Sequence, residues 1–159
     1  MNFIDYIYKV INCYNYNNNK INRTHNKEME NIIGKNFRKA KENVDIDYIL
    51  EARDFVAIYF GAHWAPPCRL FTPTLAEFYG KINGTDRRIE VVFCSIDGNE
   101  PAFERNFAEM PWCAIPFSDE QRIQNLKQKF GINGIPTLVV LDKKGDMVSF
   151  EGRLDIQNH

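Results

Sequence analysis

Trp64-Ala-Pro-Pro-Cys-Arg69 stands between a strand-length apolar run and an amphipathic helix, and this placement constrains the fold more than any other feature. The preceding run, Phe55-Val-Ala-Ile-Tyr-Phe60, is β-branched, aromatic and uncharged, which suits a strand buried on both faces. Residues 61–64 form its exit loop. Pro66 and Pro67 fit the first turn of a helix, where backbone amides have no partner in any case. Phe71, Leu75, Phe78 and Ile82 then recur at spacings of four, three and four, which marks one buried helix face. Pro73 removes a backbone bond within that helix and is expected to kink it.

A helix that opens with Cys-x-x-Cys after such a strand is an arrangement for dithiol chemistry. The helix amino terminus favours a thiolate at the first cysteine, which attacks a disulfide, and the second cysteine breaks the mixed disulfide that results. Here the spacing, the tryptophan, the prolines and the second cysteine are present, but the attacking position holds Ala65. Alanine has no sulfur and cannot act as a nucleophile. Cys68 stands at the resolving position, one turn inside the helix, where a shielded and largely unreactive thiol is expected.

A second feature lies downstream. Gly134-Ile-Pro-Thr137 leads into the apolar run Leu138-Val-Val-Leu141. Proline cannot donate to a β-ladder, so its place at a strand entry is restricted, and such a proline is often a cis peptide in a tight turn. The Ile135–Pro136 bond is expected to be cis and to lie beside the Trp64–Cys68 loop.

From about Asp54 to Gly152 the chain resembles the nucleoredoxin and tryparedoxin branch of the thioredoxin superfamily. The resemblance rests on Phe-Val-Ala-Ile-Tyr-Phe (55–60), Trp-x-Pro-Pro-Cys-Arg (64–69), Phe-Thr-Pro-x-Leu (71–75) and Glu-Phe-Tyr (77–79). It continues through Glu-Val-Val-Phe-Cys (90–94), Met-Pro-Trp-x-Ala-Ile-Pro-Phe (110–117) and Gly-Ile-Pro-Thr-Leu-Val-Val-Leu-Asp (134–142). Tyr59 replaces the acidic residue of the broad thioredoxin pattern, as in this branch, and the stretch with His63 is closest to nucleoredoxins. The resemblance implies an α/β thioredoxin-like fold, a central mixed β-sheet flanked by helices. It implies protein thiol–disulfide exchange without a bound cofactor, recharged by an external reductant. It places Ala65 at the missing nucleophile and Cys68 at the resolving thiol. Trp64, Pro66, Pro67, Arg69, Ile135 and Pro136 would then line a groove for protein thiols, disulfides or a bound polypeptide. Trp64 would serve as a flat platform and Arg69 as a field source for a thiolate.

Three readings of Ala65 stay open at this point. It is an engineered change in an oxidoreductase, or the mark of a redox-inactive polypeptide-binding module, or a feature of a structural subunit in a larger assembly. In each of them turnover by the chain as it stands is expected to be lost.

The formal net charge of −1 gives no basic excess for nucleic acid, and no apolar run approaches the length of a membrane span. The amino terminus lacks the basic start and long apolar core of a signal peptide, since Asp5 interrupts it. Four unpatterned cysteines without an export signal point to a reducing compartment, cytosol or nucleus. Paired metal-ligand spacing is absent, so neither zinc nor another metal is expected. Cys94 reads as a core residue of its strand. Cys113 stands where the family has leucine and is a candidate partner for Cys68, though it is expected to lie out of disulfide reach. Cys13 belongs to the tail.

Residues 1–28 form an extension dominated by asparagine from Asn15 to Asn26, and residues 29–159 form the thioredoxin-like domain. Ile4, Ile7, Tyr8 and Ile11 have helical spacing, so residues 3–14 read either as a short amphipathic helix or as a plain tail. A strand or hairpin is expected around Ile32-Ile33, and a helical or extended piece from Val44 to Leu50. Ser118-Asp-Glu-Gln121 has capping-box spacing ahead of Ile123, Leu126 and Phe130, and Gly131 suits the end of that helix. No helical pattern is visible over residues 152–159, so the usual final helix is expected to be absent.

Overall fold

The buried run 55–60 is the middle of a sheet, and the other elements assemble around it. The computed structural model describes Asp5 and residues 23–158 apart from Arg53. The helix expected over residues 3–14 (Asp5 aside), most of the asparagine-rich stretch and Cys13 lie outside the described residues.

Helix α1 (Arg23–Ile33) leads into the hairpin β1 (Asn36–Lys39) and β2 (Glu42–Asp45), followed by α2 (Ile46–Leu50). The central unit is β3 (Phe55–Gly61), α3 (Pro66–Ile82), β4 (Ile89–Ser95), α4 (Glu100–Phe107) and the short β5 (Cys113–Ala114). Helix α5 (Glu120–Lys129), β6 (Thr137–Asp142), β7 (Met147–Ser149) and α6 (Gly152–Gln157) follow. The seven strands form one sheet in the order β2-β1-β5-β4-β3-β6-β7. β4 runs parallel to β3 on one side, and β6 runs antiparallel to it on the other, so the sheet is mixed.

Strand alternation sorts β3 between two cores. Phe55, Ala57 and Tyr59 face a cluster with Phe71 and Leu75 of α3, Phe103 and Phe107 of α4, and Ile156 of α6. Val56, Ile58 and Phe60 face the opposite cluster, with Met29 and Ile33 of α1, Ile49 of α2, and Ile123 and Leu126 of α5. Every residue of β3 and β4 is buried, which is why both read as apolar runs without a polar face.

Several expectations are corrected. Ile32 and Ile33 end a helix rather than form a strand. Met29 and Ile33 are four apart and fully buried on one face, and Gly34 at φ +89° stops the helix with its amide bonded to the Glu30 carbonyl at 2.8 Å. The hairpin follows instead at 36–45. This helix begins at Arg23. The cap of α5 is Asp119, which accepts from the Arg122 amide at 3.2 Å, one residue beyond the capping-box serine. Pro73 lies inside helix α3.

The final helix is present but small. Its sequence signal is weak because one residue, Ile156, is its main buried apolar side chain, and because it opens at a glycine. Gly152 is required there: a Cβ would meet the Leu138 carbonyl oxygen at 3.0 Å and Val140 Cγ2 at 3.1 Å. The helix therefore lies tight against β6. Ile156→Ala removes the one apolar anchor of α6 and is expected to cost about 2 kcal/mol or more, read as a lower urea midpoint at unchanged slope.

Candidate functional site

The parallel pair β3–β4 ends with Gly61 opposite Ser95, and both exit loops rise from this end of the sheet. Antiparallel β6 enters at the same end, because Thr137 pairs with Phe60. That register sets Ile135 and Pro136 beside the loop that carries Trp64 and Cys68, and the Ile135–Pro136 peptide is cis. Trp64, Ala65, Pro66, Pro67, Cys68, Arg69, Ile135 and Pro136 thus come together at one pole.

Ala65 is the N-cap residue of α3, in extended conformation and 4% exposed, with no side-chain cap bond. Pro66 and Pro67 occupy the first turn, and the Cys68 and Arg69 amides both donate to the Ala65 carbonyl, at 3.0 and 3.2 Å. Cys68 is 2% exposed beneath this cap. Trp64, by contrast, is 62% exposed, and its indole N–H donates to the Ile96 carbonyl at 3.3 Å. The Arg69 guanidinium donates back to the His63 carbonyl at 2.8 Å, which ties the helix to the loop before it.

Two polar networks support this surface. In the first, buried Asp97 accepts from the His63 amide at 2.8 Å, from the Ser95 hydroxyl at 2.8 Å and from the Asn106 side-chain amide at 3.2 Å. The second lies under the cysteine. The Tyr59 and Thr72 hydroxyls are 2.9 Å apart, and Thr72 donates to the Cys68 carbonyl at 3.0 Å. Gly61 leaves room for the Tyr59 ring, since a Cβ there would come within 2.8 Å of the phenol oxygen. Tyr59 was noticed in the sequence as a replacement for an acid. Asp97, Ser95, Asn106 and Thr72 were not singled out. The local signal was the pair Ser95 and Asp97 at the end of the apolar run 91–94.

The electrostatics keep the thiol protonated. Burial pushes the Cys68 thiol above its ordinary value and Asp97 adds to the rise, while a backbone hydrogen bond at Ala62, the Tyr59 hydroxyl and Arg153 of α6 oppose it. Burial also raises the Tyr59 phenol well above its normal range. Cys94 and Cys113 are pushed up to about 12, mainly by burial. Cys113 belongs to the cluster on the opposite sheet face from Tyr59, so the sheet separates it from Cys68. Cys68, Cys94 and Cys113 are all free thiols. Among the described residues no group of three or more His, Cys, Asp or Glu side chains could hold a metal ion, and no helix is long and apolar enough to cross a membrane.

Residues 53–147 match the family model described as thioredoxin-like. Nucleoredoxin of Danio rerio is 48% identical over 104 residues, 65% of this chain and 25% of its own length. The chain thus spans about a quarter of the nucleoredoxins it matches. Native tryparedoxin I of Crithidia fasciculata superposes with a TM-score of 0.74 at 37% identity, covering 85% of this chain and 91% of that one. Tryparedoxin II in complex with glutathionylspermidine superposes with a TM-score of 0.72 at 32% identity, covering 78% and 85%. The chain belongs to the thioredoxin-like family, with nucleoredoxins and tryparedoxins among its relatives.

Alkylation reads the protonation of these thiols, because the thiolate is the reactive form. A raised native value means that Cys68 in the folded protein stays unreactive to iodoacetamide at pH 8 and gains reactivity only as the pH climbs past the ordinary thiol range. The urea-unfolded chain should label readily at pH 8, and peptide mapping by mass spectrometry distinguishes Cys68 from Cys94 and Cys113.

Proposed function

We propose that this thioredoxin-like chain keeps its family's polypeptide groove but has lost thiol–disulfide turnover, because Ala65 replaces the attacking thiol. In the two-thiol cycle a first thiolate bonds to one sulfur of the target disulfide and expels the other as a thiolate. The second thiolate then displaces the bound sulfur and closes an internal disulfide, so the target gains two electrons and the domain loses two. A dithiol reductant restores the domain. With one cysteine at the site, the internal disulfide that completes the cycle cannot form.

The observation that carries this reading is the pairing of a sulfur-free residue at the helix cap with a shielded thiol behind it. Cys68 is 2% exposed and its thiol is held protonated, so it is a poor substitute nucleophile. Cys113 lies across the sheet and cannot replace the missing partner. The platform for a partner is meanwhile intact: exposed Trp64, the two prolines, Arg69, and the Ile135–Pro136 turn beside them. Protein thiols and disulfides are the class of partner that this groove would meet, and the related tryparedoxin II forms a complex with glutathionylspermidine. Three free described thiols fit a reducing compartment such as cytosol or nucleus.

A redox-inactive polypeptide-binding module is the second reading. It shares the same groove and the same loss of turnover, and adds that binding a polypeptide is the chain's own task. Insulin reduction with dithiothreitol as reductant tests the proposal. The unmodified chain should give turnover near background, and Ala65→Cys should raise it by orders of magnitude, since the second thiol is already in place. Robust turnover by the unmodified chain would refute the proposal.

A further inference from the structure

The first half of α3 turns an apolar face to solvent. Cys68, Phe71 and Leu75 are its buried side. Pro66, Leu70 and Pro73 fall at i, i+4 and i+7, which is one helix face, and all three are exposed. Leu70 is 75% exposed and Trp64 62%, the two most exposed large apolar side chains among the described residues. A single exposed leucine needs no explanation. Trp64, Pro66, Pro67, Leu70 and Pro73 together form a stripe that begins at the loop and runs down the helix.

The stripe has a definite end and a definite charge. Further along, the exposed face becomes polar with the Glu77–Lys81 ion pair at 2.6 Å, so only the half next to the loop is apolar. Between Trp64 and Ala76 the single charged residue is Arg69, which is exposed, and the first turn of α3 holds no acidic side chain. A basic segment would therefore be repelled here, and a carboxylate beside apolar side chains would be matched.

We infer that the stripe is a docking face for a segment of another polypeptide with apolar side chains and a neighbouring Asp or Glu. The segment crosses the Trp64/Pro136 groove and continues along the first half of α3. This inference rests on the reading of the groove as a polypeptide site, and it adds the direction and the chemistry of the bound segment.

A displayed library of short linear peptides, panned on the full chain, supplies the probe. Binding is then measured by fluorescence titration, with Trp64 as the exposed tryptophan and Trp112 as the buried one. Recovered peptides should combine apolar residues with Asp or Glu and should lose binding to Trp64→Ala. Leu70→Ser, whose side chain is exposed and whose fold is checked by circular dichroism, should weaken them about tenfold or more. Arg69→Gln should reduce both the affinity for acidic peptides and its dependence on salt. Peptides that need Trp64 but bind Leu70→Ser and Pro73→Ser as well as the parent would overturn the stripe and leave the groove reading standing. Recovery of no peptide that depends on Trp64 would remove the groove reading and the stripe with it. Enrichment of peptides resembling residues 4–11, or a concentration-dependent dimer lost in Leu70→Ser, would assign the face to the chain's own tail or to a second copy and overturn the proposed partner.

Discussion

One buried carboxylate fixes the loop on which the site depends. Asp97 receives hydrogen bonds from the His63 amide, the Ser95 hydroxyl and the Asn106 side chain, and so joins the exits of β3 and β4 to helix α4. A buried charge persists only where its lone pairs are filled, and here three donors converge on it. The Ile96 amide also donates to the Gly61 carbonyl at 2.9 Å, and Trp64 reaches the Ile96 carbonyl. Residues 61–64 are therefore bonded to residues 95–97 at several points. None of these bonds involves a sulfur at residue 65. The loop's hydrogen bonds therefore do not depend on a sulfur at that position.

The same independence holds beneath the loop. Tyr59, Thr72 and Cys68 form a small polar column between the sheet and α3, and the Cys68 thiol is shielded as a resolving thiol would be. On the function proposed above, the platform and the second thiol remain and the missing part is the nucleophile, so a site of this type would lose turnover without losing its surface.

The central unit is legible in the sequence, because its signals are local and strong. β3 and β4 are uncharged apart from Glu90, α3 repeats its buried face over four turns, and Pro66, Pro67 and Pro136 restrict the backbone where they stand. Elements on the periphery were harder. Ile32-Ile33 looked like a strand because two β-branched residues are adjacent, yet the partner that decides the matter, Met29, lies one helical turn away. Helix α6 buries Ile156 and depends on a contact between Gly152 and β6, which no local pattern records. Asp97 and Arg153 became visible as parts of the site only in three dimensions, since Cys68, whose thiol both influence, lies far from each of them in the chain.

The central claim is that one residue separates this chain from a working dithiol site. Its most direct measurement is disulfide closure in Ala65→Cys, followed by intact mass after equilibration with oxidised and reduced glutathione. The account predicts an internal disulfide between the introduced thiol and Cys68, seen as the loss of two hydrogens, with no such species from the unmodified chain. An unmodified chain that forms an internal disulfide through Cys68, or an Ala65→Cys protein that folds yet never closes one, would contradict it.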